Sequence, residues 1–168
     1  MQMMRHFAVI RKFTKTHEWI ELDDATGIAT IGITDHAQKE LGDIVHVDLP
    51  DVGQSFSAND AISCVESVKT AADIYQMVDG EVTEVNELLA DEPNAVNTDA
   101  EGKGWLMKVK LVDQKQMDDL LTGDDYDQIK WNGIRREIDH KNETFKKSSL
   151  REIDDEILSI FNSLSFKK

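Results

Sequence analysis

The middle of the chain alternates apolar and polar positions with the period of a β-strand. Between Trp19 and Val112 this alternation, or a short apolar run, recurs seven times, and glycine or Asp/Asn turn residues separate the runs. The seven predicted strands are HEWIEL, GIATIGI, DIVHVDL, AISCVESV, ADIYQMV, GEVTEV and GWLMKVKLV. So many short strands in one stretch predict a small all-β sandwich or barrel.

Two short helices are predicted to interrupt these strands. In TDHAQKELG, Thr34 or Asp35 can cap the start of a helix, and Gly42 can adopt the left-handed conformation at its end. In ELLAD, a helix that follows Asn86 must end before Pro93, because the residue before a proline disfavours the helical conformation. The sequence therefore predicts a mainly β fold with short helices.

A short motif occurs on both sides of Lys69. Residues 42–48, GDIVHVD, and residues 80–86, GEVTEVN, agree at glycine, acid, β-branched residue, valine, and acid or amide. If this agreement is a true repeat, the two copies are equivalent strands of a two-fold pseudo-symmetric sandwich. A hairpin between them would then carry Lys69 at or beside its tip.

The chain changes character after Lys115. QMDDLL predicts a helix and GDDYDQ an acidic loop, and residues 132–168 are nearly neutral. A capping box at 149–152 and apolar residues at helical spacing after it predict a helix of about four turns. This helix either packs on the sandwich, which we favour, or docks on a partner. These apolar residues are Leu150, Ile153, Ile157, Ile160 and Leu164.

The first 17 residues are basic, although the whole chain has a formal charge of −14. They contain four bases and no acid, and a helix through MQMMRHFAVIRKF would be amphipathic, as in an organellar presequence. We predict that residues 1–12 are a targeting presequence or a disordered leader, residues 13–131 a β domain, and residues 132–168 a helical C-terminal extension. A presequence would direct the protein to the mitochondrial matrix or a mitochondrion-related organelle; without one, it would be cytoplasmic.

The composition argues against several classes of function. The 40% hydrophobic and 31% charged residues are ordinary for a globular domain, and no apolar run is long enough to span a bilayer. The negative charge disfavours nucleic-acid binding. The single cysteine excludes an internal disulfide. No metal-ligand spacing, phosphate loop or nucleophile motif is found. We therefore predict a protein that is not an enzyme, binds no metal, and has protein or small-molecule partners.

Lys69 is the residue for which the sequence suggests chemistry. It lies in ESVKTAADIY, with Glu66 three residues before it and Asp73 four residues after it. A lysine near a hairpin tip is most often a solvated turn residue. A rigid hairpin would nevertheless present the amine to a modifying enzyme in one pose, and an amide bond to an acyl cofactor would remove its charge.

Five blocks within residues 13–131 resemble the glycine cleavage system H-protein family of small lipoyl carriers, in the family's order and spacing. This resemblance implies a barrel-sandwich hybrid fold of the lipoyl/biotinyl-domain type. Gln76-Met77 departs from the usual Ser-Pro pair, and residues after Trp131 have no counterpart in the family. The blocks are THEWI at 16–20, IGITDHAQKELGDIVHVDLP at 31–50, ESVKTAADIY at 66–75, GEVTEVNELL at 80–89 and GWLMKVK at 104–110.

The resemblance also implies a function. Lys69 of the ESVK motif would carry lipoate as N6-lipoyllysine, and Glu18 and Asp73 would lie near the cavity that shelters the loaded arm. The protein would act in glycine catabolism and one-carbon metabolism as a shuttle. It would accept an aminomethyl group from glycine decarboxylase, deliver it to a tetrahydrofolate-dependent aminomethyltransferase, and be reoxidised by dihydrolipoamide dehydrogenase. A lipoate ligase or lipoyltransferase would attach the cofactor.

Three other interpretations stay open at this point. Some H-like proteins donate lipoyl groups to 2-oxoacid dehydrogenase complexes, and the ESVK motif does not distinguish this role from the shuttle. A biotinyl carrier has the same fold but typically has methionines on both sides of its lysine, where this chain has Val68 and Thr70. An unmodified β-sandwich scaffold would use Lys69 only as a turn residue.

Overall fold

Nine β-strands occur in the residues that this computed structural model describes, which are 9–133, 135, 136, 138, 140 and 141. The seven predicted strands are all present, so the mainly β prediction is confirmed. The strands are β1 Val9–Phe13, β2 Glu18–Asp23, β3 Ile28–Ile33, β4 Ile44–Asp48, β5 Ser55–Phe56, β6 Ala61–Ser67, β7 Ala71–Tyr75, β8 Gly80–Val85 and β9 Met107–Leu111.

The strands form two antiparallel sheets that share one apolar core. The six-stranded sheet has the order β1-β2-β3-β9-β8-β5, and the three-stranded sheet has the order β4-β6-β7. Alternation places one face of each strand inside: in β8, Val82 is buried while Glu81 and Thr83 are exposed. Residues of both sheets, such as Ile31 and Val65, belong to the same buried cluster.

The short helices follow the predictions in part. Helix α1 Asp35–Leu41 begins where the hydroxyl of Thr34 accepts the Ala37 amide at 3.3 Å, and it ends at Gly42, whose φ of 80° favours glycine. Helix α2 Leu88–Asp91 also matches its prediction, whereas helix α3 Ala95–Thr98 was not predicted. The helix predicted at QMDDLL is a 3-10 helix, Gln114–Asp119, which ends before the two leucines.

The helical interpretation of the N-terminus is wrong for residues 9–13. These residues form β1, which pairs antiparallel with β2 at the edge of the larger sheet. Arg11 anchors the strand: its guanidinium lies 4.7 Å above the Trp19 ring and forms ion pairs with Glu21 at 2.8 Å and Glu101 at 3.2 Å. One base of the predicted leader is therefore part of the fold.

The acidic loop predicted at GDDYDQ is also wrong, because a helix, α4, begins at residue 123 and includes 124–133. The Thr122 hydroxyl accepts the Asp125 amide at 3.3 Å and caps its start. The chain divides into two units, Met1–Tyr126 and Asp127–Lys168. The predicted helix near residue 150 lies outside the described residues. No helix in the described part is long and apolar enough to cross a membrane.

The two copies of the repeated motif form strands of different sheets. The first copy gives β4, at the edge of the three-stranded sheet, and the second gives β8, between β9 and β5 in the larger sheet. Because β4 has one partner strand and β8 has two, their pairing is not equivalent. The connecting hairpin that the motif predicted is present as β6 and β7.

Candidate functional site

Lys69 lies at the tip of the β6–β7 hairpin. The turn consists of Val68, Lys69 and Thr70, and all three residues are exposed. In the described part of the chain, the Lys69 ammonium group forms neither an ion pair nor a side-chain hydrogen bond. The amine is therefore accessible to a large modifying enzyme.

The backbone of this turn is held by Ser67, which is 9% exposed. The Ser67 amide donates to the Thr70 carbonyl at 2.7 Å, and its hydroxyl donates to the same oxygen at 3.0 Å. The hydroxyl oxygen also accepts the amides of Lys69 at 3.4 Å and Thr70 at 3.2 Å. One buried side chain thus fixes the loop beneath an exposed lysine.

The hairpin tip also contacts the segment that follows helix α1. The Val68 amide donates to the Asp43 carbonyl at 3.0 Å. A Cβ atom added at Gly42 would lie 3.6 Å from Cε of Lys69, so the lysine side chain runs over this glycine. A separation of 3.6 Å is an ordinary van der Waals contact, so it is the φ of 80°, and not the lysine stem, that favours glycine here.

A cavity of about 360 Å³ begins at Thr70, the residue next to the lysine. Three regions that are distant in sequence form its wall: the turn before β2, the end of β3 with helix α1, and the first residues of β7. Its apolar lining is Ile33, Ala37, Leu41, Ala71, Ala72 and Ile74. Its polar lining is Thr16, His17, Glu18, Glu40, Thr70 and Asp73.

Glu18 is a buried carboxylate in this wall, at 3% exposure. The hydroxyls of Thr14 and Thr16 both donate to its Oε2, the second at 2.6 Å. The Thr14 hydroxyl oxygen in turn accepts the Glu18 amide at 3.0 Å. These bonds compensate the burial of Oε2 and leave Oε1 as the oxygen that can accept a hydrogen bond from a cavity occupant.

The structure brings Asp73 to the same cavity, but not Glu66. Asp73 is exposed in β7, opposite Cys64 of β6. Both predicted carboxylates, Glu18 and Asp73, therefore line one cavity beside the Lys69 turn. Such a cavity, with apolar walls and three acids, these two and Glu40, suits an extended apolar chain that ends in a cation.

Sequence reasoning missed a polar cluster that begins at His17 of this wall. His17 Nδ1 and the Tyr126 hydroxyl are 2.8 Å apart, and this hydroxyl is also 2.8 Å from the hydroxyl of Thr34. The His36 ring lies 4.5 Å from the His17 ring, centroid to centroid. Burial raises the pKa of Tyr126 to about 12, which keeps its phenol protonated at neutral pH. One part of the cluster could have been found from the sequence: His36 and Glu40 are four residues apart on a predicted helix, a spacing that places both side chains on the same face.

The sequence and the fold are similar to those of known proteins of one family. The family described as glycine cleavage H-protein matches residues 11–132. The glycine cleavage system H protein of Thermotoga maritima is 46% identical over 120 residues, which are 71% of this chain and 95% of the relative. That of Alcanivorax borkumensis is 50% identical over 115 residues, 68% of this chain and 88% of the relative.

A solved structure agrees with these relatives. The crystal structure of a glycine cleavage system H protein from Mycobacterium marinum has a TM-score of 0.65 and 37% sequence identity. The similarity covers 73% of this chain and 96% of that one. Fold and sequence therefore point to the same family, and they favour a lipoyl carrier over the biotinyl alternative.

Proposed function

The chain belongs to the glycine cleavage H-protein family of lipoyl carriers, and we propose that Lys69 is the residue through which it carries lipoate. Such a protein is a carrier and not a catalyst. One observation carries the proposal: Lys69 is exposed on a turn whose backbone Ser67 fixes, directly beside a cavity with an acidic lining.

The residues around Lys69 fit a lipoyl arm in two ways. The exposed amine can form an amide without displacing any partner in the described part of the chain, and loss of its charge leaves no ion pair broken there. The apolar wall, with Ile33, Leu41 and Ile74, can bury hydrocarbon. When bound, the lipoyl group supplies a reducible disulfide on a long arm.

The protein's own contribution is to hold what the arm carries. Glu18 and Asp73 place negative charge in the cavity, where an amine is held as a cation because a nearby carboxylate favours the charged form. The bonds of Thr14 and Thr16 to Glu18 keep that carboxylate in place. Retention of the cation protects it from loss between enzymes.

The H-protein family works within the glycine cleavage system, and we assign this chain the family's partners. Glycine decarboxylase loads the arm, an aminomethyltransferase unloads it, dihydrolipoamide dehydrogenase reoxidises it, and a lipoate ligase or lipoyltransferase attaches it. The net charge of −14 would steer the carrier toward basic docking faces on these enzymes, and this attraction would weaken as salt rises.

The attachment site is tested by intact mass and peptide mapping of the full chain from lipoate-fed cells with an active ligase. We expect one lipoyl increment on Lys69 and none in Lys69→Arg, which keeps the charge but cannot form the amide. Lys110→Arg is the matched control, because Lys110 is exposed on a strand instead of a turn. An increment on another lysine, or none, would overturn the assignment.

The role of the acids is tested by the double variant Glu18→Gln with Asp73→Asn. Glutamine retains an acceptor for Thr14 and Thr16, so we expect normal lipoylation but faster formaldehyde release from the loaded carrier. Glu66→Gln is the control, because Glu66 is as near to Lys69 in sequence but does not line the cavity. A release rate equal to that of the control would reject the role.

We also propose that residues 1–8 direct the protein to the mitochondrial matrix or a related organelle. The support is the acid-free N-terminal sequence, of whose four bases Arg5 lies before β1. Because Arg11 is bound within the fold, a cleaved leader must end before Val9 if β1 is retained. The test is N-terminal sequencing of protein from purified organelles, with a first residue at or before Val9 expected; recovery only from the cytosol would refute the proposal.

A further inference from the structure

A cluster of three metal-ligating side chains lies at the cavity, and two of them, His17 and Glu40, line it. His17, in the turn before β2, meets His36 and Glu40 of helix α1, and one donor atom from each lies within 4.8 Å of the other two. We propose that His17, His36 and Glu40 form a binding site for a divalent transition-metal ion of the zinc, cobalt or nickel type. The proposal rests on this geometry and is independent of whether Lys69 is lipoylated.

The helix already brings two of the ligands to the required separation. His36 and Glu40 are one turn apart on α1, so their side chains share a face of the helix. His36 Nε2 and Glu40 Oε1 are 3.3 Å apart. Two donors that bind one tetrahedral zinc ion at about 2.1 Å are also roughly 3.4 Å apart. This pair therefore needs little rearrangement to bind an ion.

His17 supplies the third donor from a different element. Its backbone adopts φ = 74°, a left-handed conformation that is uncommon for a residue other than glycine and that concentrates at functional sites. Its carbonyl accepts the Thr34 amide at 2.9 Å, which holds the strained turn against the start of α1. The imidazole is thereby placed beside the His36 ring.

A hydrogen-bonded support for His17 is also present. When Nδ1 of His17 donates to the Tyr126 hydroxyl, Nε2 carries the lone pair that a metal ion needs. The Tyr126 hydroxyl is in turn bonded to Thr34. Ligating histidines commonly have such a second partner, which fixes the ring and its tautomer.

Two imidazoles and a carboxylate select transition metals over magnesium or calcium, which prefer oxygen ligands. Three protein donors leave a further coordination position open. Because His17 and Glu40 also line the cavity, that position would face the cavity occupant. Side-chain exposures of 26% for His36 and 57% for Glu40 allow an ion to enter from solvent.

The experiment uses the full chain with Lys69→Arg, purified without an affinity tag and stripped with a chelator. Lipoate is thereby absent, so failure of the metal site and failure of the lipoyl assignment are separate results. Titration with Co²⁺, followed by visible absorption, and with Zn²⁺, followed by calorimetry, should give one tight ion per chain.

Substitution of single ligands then locates the ion. We expect His36→Gln and Glu40→Gln each to weaken binding by about tenfold or more. His46→Gln is the matched control, because His46 is an exposed histidine of β4 outside the cluster. No tight binding, or equal losses in His36→Gln and His46→Gln, would overturn the proposal.

A second measurement avoids dependence on how the variants fold. Addition of diamagnetic Zn²⁺ to the Lys69→Arg chain should shift the imidazole NMR signals of His17 and His36 and leave that of His46 unchanged. Shifts at His46 with none at His17 would indicate surface binding instead and would refute the site.

Discussion

The Lys69 turn and the surroundings of Trp19 fix their key side chains by opposite means. Trp19 is 2% exposed, and a Cβ atom added to Gly32 would lie 2.7 Å from its ring. Its indole N–H donates to the carbonyls of Ile33 at 2.9 Å and Ala100 at 3.2 Å. Lys69 is exposed, and it is positioned by hydrogen bonds to the backbone of its turn, those of Ser67 beneath it and that of the Val68 amide to the Asp43 carbonyl.

The comparison shows why a carrier needs both kinds of region. Packing on all sides fixes Trp19, so its position depends on the whole domain. Hydrogen bonds beneath the turn fix the Lys69 backbone, so its side chain can be modified without disturbing the core. Changes near Trp19 should therefore reduce stability, whereas changes beneath Lys69 should reduce modification more than stability.

Trp19→Ala is the largest expected disruption. It removes a buried aromatic ring, two hydrogen bonds and the surface on which Arg11 lies. We expect the free energy of unfolding to fall by about 3–5 kcal/mol. Urea denaturation measures the change. Below the denaturation midpoint the variant should still be lipoylated at the normal rate, and a slower rate in the folded fraction would contradict the separation of the two regions.

Ser67→Ala tests the other side of the comparison. It removes the hydroxyl that binds the Lys69 and Thr70 backbone, so we expect a loss of about 1–2 kcal/mol in stability. Because the turn is no longer fixed, the rate of lipoylation should fall even under conditions where the variant is fully folded. The loss of stability alone would not slow the reaction there. Initial rates with a purified ligase measure the effect.

Ser63→Ala is the matched control for that experiment. Ser63 lies in the same strand, is also buried, and donates to the Asp48 carbonyl at 2.7 Å, away from the turn. It should cost a similar amount of stability and leave the lipoylation rate unchanged. Equal rates for the two alanine variants would show that Ser67 does not position Lys69.

The sequence predicted the strands and the turn well, because alternation and turn residues are local signals. It predicted less well where the pattern was ambiguous. β1 contains Arg11 and Lys12 between apolar residues, which is consistent with a basic helix as well as an edge strand. At the start of α4, the acids Asp124 and Asp125 were interpreted as a loop, although acids are favoured in the first turn of a helix.

Local sequence patterns could not predict the cavity. Its lining comes from residues 16–18, 33–41 and 70–74, and only the pairing of strands brings these segments together. Glu18 and Asp73 were expected there because the family resemblance implied it. The cluster of His17 with His36 depends on a turn with positive φ, which no periodic pattern predicts for histidine.

Tyr126 is held both by packing of its ring and by hydrogen bonds of its hydroxyl. High pH weakens the hydroxyl's contribution to stability and leaves the ring packing in place. Its ring stacks on Phe13 with centroids 4.7 Å apart, and its hydroxyl bonds to Thr34 and His17. Burial raises its pKa from 10.0 to about 12. Between these values the folded state keeps the proton that the unfolded state loses, so the contribution of Tyr126 to stability falls as pH rises.

Tyr126→Phe keeps the stacked ring and removes the hydroxyl. We expect the variant to lose about 1 kcal/mol of stability at neutral pH, and we expect this difference from wild type to close and then reverse between about pH 10 and 12. Tyr75→Phe is the control, because Tyr75 is the other tyrosine of the chain and is 45% exposed. Urea unfolding across this range measures the slopes; a constant gap for Tyr126→Phe would contradict the raised pKa.

The smallest expected effect is a gain in stability at Gln76, beyond the end of β7. Its side chain is 2% exposed, and its Oε1 is the one buried side-chain polar atom without a partner in the described part of the chain. Its Nε2 has only a sulfur contact, 3.6 Å from Met107. Gln76→Met keeps the length of the side chain and removes the unpaired carbonyl, so we expect an increase of about 0.5–1 kcal/mol in the free energy of unfolding.

Gln38→Met should lower the free energy of unfolding instead of raising it. The contrast between the two glutamines tests whether hydrogen bonding or packing decides the effect of this substitution. Gln38 is also buried, at 7% exposure, but its Nε2 donates to Asp35 at 2.8 Å and its Oε1 accepts from Asn97 at 3.0 Å. The same substitution there leaves partners unsatisfied and should cost about 1–2 kcal/mol. Urea denaturation of both variants gives the two signs, and destabilisation of both would mean that Gln76 Oε1 is hydrogen-bonded in solution, for instance by a buried water.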